Sequence, residues 1–324
     1  MLPLPPAPTL TAAASLLLIL SATAGPVSAQ SPKVLRFSPT KSLGKLYELK
    51  QPPTSWLAPT TNLKKNHFLS AARGTVNVPA GTHVWLDCEE VVIEKPTLLD
   101  TLSADNLAFL RLQNMGGKDH ILPHIARLTG LIRLDLRDCE FTDQGLTQLQ
   151  ALKQLESLSV RGCGIQGHFF KNLQGLSKLR FLDAGNNFMP ASSSKLIAQI
   201  KSLQDLNVAR TDLTDEGLGY LSTLGDLRKL NIEKNSKISG RGLKALQRCK
   251  HLSTLKLDGN NLTVDDILAL KGLPLKSLDL PYTDLQIRQR DLLCRAFPGC
   301  NLNLIKGPKK VDADWEVILA PISK

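Results

Sequence analysis

Leucine returns at a fixed interval along most of this chain. Leu107, Leu131, Leu155, Leu179, Leu203, Leu227, Leu252 and Leu275 open segments spaced 24, 24, 24, 24, 24, 25 and 23 residues apart. The fourth position of every segment is leucine: Leu110, Leu134, Leu158, Leu182, Leu206, Leu230, Leu255 and Leu278. The sixth is Leu112, Leu136, Val160, Ala184, Val208, Ile232, Leu257 and Leu280. Apolar residues at alternate positions put two side chains on one face of a short strand. The other half of each segment reads helical, because Leu146, Leu149 and Leu152 recur at spacing three, as do Leu218, Leu221 and Leu224, and Leu243 and Leu246. Thr142, Thr214, Ser239 and Thr263 stand before these stretches as N-caps. Each coil is therefore predicted as strand, turn, helix, turn. One coil cannot bury its apolar side alone, so about eight coils stack around a shared leucine core.

The ninth position holds Met115, Cys139, Cys163, Asn187, Thr211, Asn235, Asn260 and Thr283; Asn, Cys or Thr there can satisfy backbone atoms at the turn that leaves the strand, and the first repeat departs from this at Met115 and Gly117. The eleventh is apolar from the second segment onward: Phe141, Ile165, Met189, Leu213, Ile238, Leu262 and Leu285. At this point the chain resembles the leucine-rich-repeat family, L-x-x-L-x-L-x-x-N/C-x-L, over Leu107 to about Leu304. The runs Thr142-Asp143-Gln144-Gly145-Leu146 and Thr214-Asp215-Glu216-Gly217-Leu218 resemble the cysteine-containing, ribonuclease-inhibitor-like subclass. The resemblance implies an α/β solenoid, a curved stack with a parallel β-sheet on its concave face and helices on its convex face. It also implies a binding role and not a catalytic one.

The ends of such a stack need caps. Residues 76–106 read as an N-terminal cap, a strand or a hairpin, in which Val76-Asn77-Val78, a Pro79-Ala80-Gly81 turn and His83-Val84-Trp85-Leu86-Asp87-Cys88 are extended and cover the first coil. Residues 30–75, rich in Pro, Thr and Lys, read as a loosely ordered lead-in. The repeats run over 107–290, a C-terminal cap of helix and strand over 291–305, and a tail over 306–324. Residues 1–29 carry no charge. An apolar run from Leu10 to Ala24 leads to Val27-Ser28-Ala29, which reads as a secretory signal cut after Ala29 and places the protein outside the cytoplasm, secreted or periplasmic, of bacterial type. The alternative is a membrane anchor, but the run is short of the ~20 residues a span requires. No integral membrane segment is expected after cleavage.

Strand positions between the core leucines belong to the concave face. Phe109, Arg111, Arg133, Arg137, Arg161 and Phe181 lie there on neighbouring rungs, and aromatic side chains beside arginine are what interface centres are enriched in. They form a candidate protein-binding patch; the alternative is a solvated sheet face. The net charge of +11 offers a second candidate partner, an anionic envelope glycan or other acidic polymer. No basic stripe interleaved with aromatics points to nucleic acid. Cys139 and Cys163 occupy one inward position on adjacent rungs, as free thiols or as a bridge, and Cys294 and Cys300 offer a second candidate bridge. His120 and His124 are four apart but have Pro123 between them and no third ligand near. No cofactor, metal or catalytic motif is expected.

Overall fold

The computed structural model describes residues 32–49, 68–116, 118–281, 285–304 and 320–321. Among them one sheet dominates. Ten parallel strands lie side by side in chain order: β5 (His83–Cys88), β6 (Phe109–Arg111), β7 (Arg133–Asp135), β8 (Ser157–Ser159), β9 (Phe181–Asp183), β10 (Asp205–Asn207), β11 (Lys229–Asn231), β12 (Thr254–Lys256), β13 (Ser277–Leu280) and β14 (Asn301–Leu304). The frame leucines stand in register across every rung, so that Leu134 faces Leu158 and Leu206 faces Leu230. Their side chains form one continuous, nearly solvent-free core that runs the length of the stack. On the far side of that core the chain makes short α-helices and 3-10 turns, such as Asp143–Leu146, Ala191–Ile197 and Asp215–Leu221. A repeat of 24 residues leaves room there for only a few helical turns, as in Asp143–Leu146 followed directly by the 3-10 turn Thr147–Ala151.

The helix starts follow their capping chemistry. Thr142, Thr214 and Thr263 accept the backbone N–H of the third residue on, and Ser239 that of Arg241. The Asp of the Thr-Asp pair serves the next coil. Asp143 accepts from the Gln166 and Phe169 N–H groups (2.8 and 3.0 Å), and Asp215 accepts from the N–H and hydroxyl of Ser239. The glycine two residues on lets coils close up: a Cβ on Gly242 would lie 2.3 Å from Asp215 Oδ1. The ninth-position residues satisfy the turn as their chemistry requires. Asn235 Nδ2 donates to the Val208 and Ile232 carbonyls (2.9 and 3.0 Å), while its Oδ1 accepts from the Thr211 and Leu213 N–H groups (3.0 and 2.9 Å). Cys139 and Cys163 are free thiols that donate to the Leu112 and Leu136 carbonyls (3.5 and 3.1 Å). Cys294 and Cys300 are also free. Thr283 lies outside the described residues.

The N-terminal end differs from the expectation in three respects. First, the frame starts one coil earlier: Leu86 stands 24 residues before Leu110 and pairs with it, and Cys88 takes the sixth position. Second, β4 (Thr75–Val78) and β5 do not form a hairpin. β4 pairs instead with β1 (Lys33–Arg36) in a separate two-stranded sheet, where Val76, Val78 and Leu35 turn inward. Third, part of the lead-in is ordered. β2 (Gly44–Leu49) runs antiparallel to β5, with β3 (Phe68–Ala71) beyond it, and buries Leu46, Tyr47 and Leu49. Pro and Thr content concealed this alternation of apolar residues. At the other end the helix Ile287–Ala296 and β14 close the last coil, and β15 (Ala320–Pro321) pairs with β14. The proposed signal segment 1–29 and the rest of the tail lie outside the described residues.

Candidate functional site

The concave side of the sheet is built from the third, fifth and seventh positions of the frame. At its N-terminal end the third position forms a stack of rings. Register pairs Tyr47 with Trp85 and Trp85 with Phe109. The Tyr47 and Trp85 ring centroids are 4.7 Å apart, and those of Trp85 and Phe109 are 4.8 Å apart at an interplanar angle of 15°. This separation is the spacing of adjacent strands, so flat rings on successive rungs stack face to face. Arg133, on the next rung, places its guanidinium 4.9 Å from the Phe109 ring centre, and Arg111 lies 4.9 Å from that of Trp85.

This packing corrects the expected solvent exposure of half the patch. Phe109, Arg111 and Arg133 are buried, at 2 %, 3 % and 7 % of full exposure. Each is covered by its neighbours along the column, and together with Tyr47, Trp85 and Leu49 the aromatics form a second apolar cluster on the opposite side of the sheet from the leucine core. Arg111 is held by Asp135 (Nε to Oδ2, 3.3 Å). Arg137 grips the same carboxylate from the other side, through Nε at 2.8 Å and Nη2 at 2.7 Å. That hydrogen bond raises the Arg137 pKa, whereas burial lowers that of Arg133 to about 10. Arg137, Arg161 and Phe181 remain half-exposed.

The third-position column then breaks. Between the long Arg133 on β7 and the ring of Phe181 on β9 stands the small Ser157 on β8. A hollow opens there, lined by Phe109, Ile132, Arg133, Glu156, Ser157 and Phe181. Ser159 repeats the step in the fifth-position column, between Asp135 and Asp183. Arg137 and Arg161 flank the break in the seventh. Of the six patch residues, Phe109, Arg133 and Phe181 line this notch, whereas Arg111, Arg137 and Arg161 lie further along the strands, outside its lining. Tyr47, Trp85 and Ser157 were not among the candidates. The interval of 24 from Trp85 to Phe109 was the available signal for the ring column.

Asp183 stands on β9 opposite Ser159, two residues past Phe181. Burial pushes its carboxyl up to about 6 from 3.8, partly offset by the Gly185 N–H, Arg161, Arg137 and the Ser159 hydroxyl. Its folded form therefore holds a proton more tightly than the unfolded chain does. The stability this contributes is complete below pH 4 and is lost as pH rises through 6, to a total of about 3 kcal/mol. Asp183→Asn should keep the bonds to Gly185 N–H and Asn207 Nδ2 and remove this pH dependence. Urea unfolding at pH 4 and pH 7 measures it. A variant whose stability falls between those two pH values as steeply as the wild type's would refute the assignment.

Among the described residues no group of three His, Cys, Asp or Glu side chains is placed to hold a metal ion, and no helix is long and apolar enough to cross a membrane.

The model of the family described as "Leucine Rich repeat" matches residues 129–149 and 199–222, the coils that carry β7 and β10. The chain is a leucine-rich-repeat protein. No curated protein matches it. Among solved structures, internalin C2 from Listeria monocytogenes is similar at 22 % identity over 56 % of this chain and 83 % of that one, with a TM-score of 0.42. A leucine-rich-repeat protein from Leptospira interrogans is similar at 20 % identity over 64 % of this chain and 62 % of that one, with a TM-score of 0.39. Scaffolds of this kind serve protein–protein interaction in general and are typically non-enzymatic.

Proposed function

We propose that the protein is exported and binds a protein partner through the concave face of its N-terminal half. The observation that carries this reading is the notch at Ser157. A small residue between two large ones leaves a largely apolar recess, and two half-exposed arginines, Arg137 and Arg161, stand further along the same rungs. A partner that fits it presents an apolar side chain for the recess and a carboxylate for Arg137 or Arg161. The walls are rigid before the partner arrives, because Arg133 and Phe109 are already stacked and Arg137 is already paired. Little ordering entropy is then lost on binding. Export rests on the apolar run ending at Val27-Ser28-Ala29.

Ser157→Arg fills the recess without touching the leucine core. Affinity capture from the surface fraction of the source cells, read by mass spectrometry, should recover partners with the wild type that the variant loses, while the two proteins melt alike. Recovery of the same partners with both proteins removes the concave face from the proposal. The protein isolated from that fraction should begin at Gln30; an N-terminus upstream of it removes cleavage at this site.

A further inference from the structure

We propose that the rim where the chain enters the strands is a docking strip for a linear acidic polysaccharide, a surface that adjoins the concave notch at Glu156 and runs away from it toward the C-terminal coils. The six turns that lead from the helical side into β8 through β13 (residues 151–156, 175–180, 199–204, 223–228, 247–253 and 271–276) hold nine Lys and Arg against two acids, Glu156 and Asp226. The six turns leaving β7 through β12 (137–143, 161–166, 185–190, 209–216, 233–239 and 258–266) hold five against ten. Much of the chain's excess positive charge is therefore gathered along one edge, and the opposite edge is acidic.

The strip is continuous because the backbone makes it so. The second frame position is bonded rung to rung: Arg180 N–H to Glu156 O (2.9 Å), Gln204 to Arg180 (2.9 Å), Arg228 to Gln204 (2.7 Å), Ser253 to Arg228 (2.8 Å) and Lys276 to Ser253 (2.8 Å). Arg180, Arg228 and Lys276 thus stand on alternate rungs, roughly 10 Å apart along the sheet. Lys153, Lys201 and Lys250 stand just before the frame leucines of their own coils. All six are exposed. None of the ion pairs among the described residues involves these six side chains.

A row of exposed cations across six coils fits a partner with regularly spaced negative charge along its length. The same turns contain no Phe, Tyr or Trp. Nucleic-acid strands are held by base stacking on aromatic rings as well as by charge, and this rim has nothing on which a base would stack. The chemistry selected is a polyanion without bases, carrying sulfate or carboxylate groups on a sugar chain.

The test titrates the full chain with heparin, a sulfated polysaccharide, and with an oligothymidylate, at several salt concentrations. The triple variant Arg180→Ser, Arg228→Ser, Lys276→Ser should bind heparin roughly tenfold or more weakly than the wild type and with a shallower salt dependence. A control triple, Lys171→Ser, Lys195→Ser, Lys244→Ser, removes three exposed cations from the helical side and should weaken binding less than threefold, or roughly 0.6 kcal/mol at RT ≈ 0.59 kcal/mol. Equal losses in the two triples would show that net charge alone attracts the polymer and would overturn the strip. Tighter binding of oligothymidylate than of heparin by the wild type would overturn the polysaccharide. Absence of heparin binding at low salt would overturn both.

Discussion

Replacing Asn235 by alanine should cost more stability than any other single change of a polar residue in the stack, about 4 kcal/mol or more. Its amide holds five backbone groups belonging to two coils, the Val208, Ile232 and Glu233 carbonyls (2.9, 3.0 and 3.3 Å) and the Thr211 and Leu213 N–H groups (3.0 and 2.9 Å). The residue is 1 % exposed, so water cannot take over these bonds. Each buried backbone group left without a partner costs about 1–3 kcal/mol, and the two N–H groups have no second acceptor at hand. Asn235→Cys tests the account more finely. A thiol donates to carbonyls, as Cys139 and Cys163 do, but it is a weak acceptor for N–H groups. The cysteine variant should therefore fall between alanine and wild type in urea unfolding. Alanine and cysteine variants of equal stability would mean that the carbonyl bonds contribute nothing.

The second large effect is at the N-terminal cap. Gly44 has φ +144°, and a Cβ there would lie 2.0 Å from the carbonyl oxygen of Asp87, a backbone atom of the neighbouring strand that cannot move aside. Gly44→Val should lift β2 off β5, uncover Leu46, Tyr47 and the ring stack beneath, and lower stability by about 4 kcal/mol, a fall of about 10 °C in melting temperature. Gly74→Ala is the matched control. Its φ is +65°, but nothing lies within 4 Å of a Cβ, so it should cost only about 1 kcal/mol of backbone strain. The two variants are compared by thermal melting and by the near-ultraviolet dichroism of the rings. Similar melting temperatures would mean that the β2–β5 contact does not hold the cap.

Most of the fold was legible because its rule is repeated. Leucine at the first and fourth positions of each frame, with an apolar residue at the sixth, announces strand, register and core at once. Where a coil keeps the spacing but changes the letters, the rule hides: the coil at β5 opens on His83 in place of leucine and carries Cys88 at the sixth position. The two valines of β4 look like half of a hairpin, because local sequence marks a strand but does not name its partner. The concave patch was legible as a location and not as a surface. Alternation tells which side of the sheet Phe109, Arg111 and Arg133 occupy. Their burial depends on what stands one rung away, and Trp85 and Tyr47 come from the irregular end of the chain, where no repeat announces them. The notch is legible only as the absence of bulk at Ser157 between two large neighbours.

Every rung of the main sheet from β5 to β14 is joined to residues one coil away, 23 to 25 positions along the chain, however long the stack becomes. No part of this array waits for a distant segment before it can close. A chain that leaves a narrow exit N-terminus first can thus wind up turn by turn as it emerges, each new turn settling on the one before it. At every moment of synthesis or passage the finished portion is already a shorter version of the whole, with only its growing end wet.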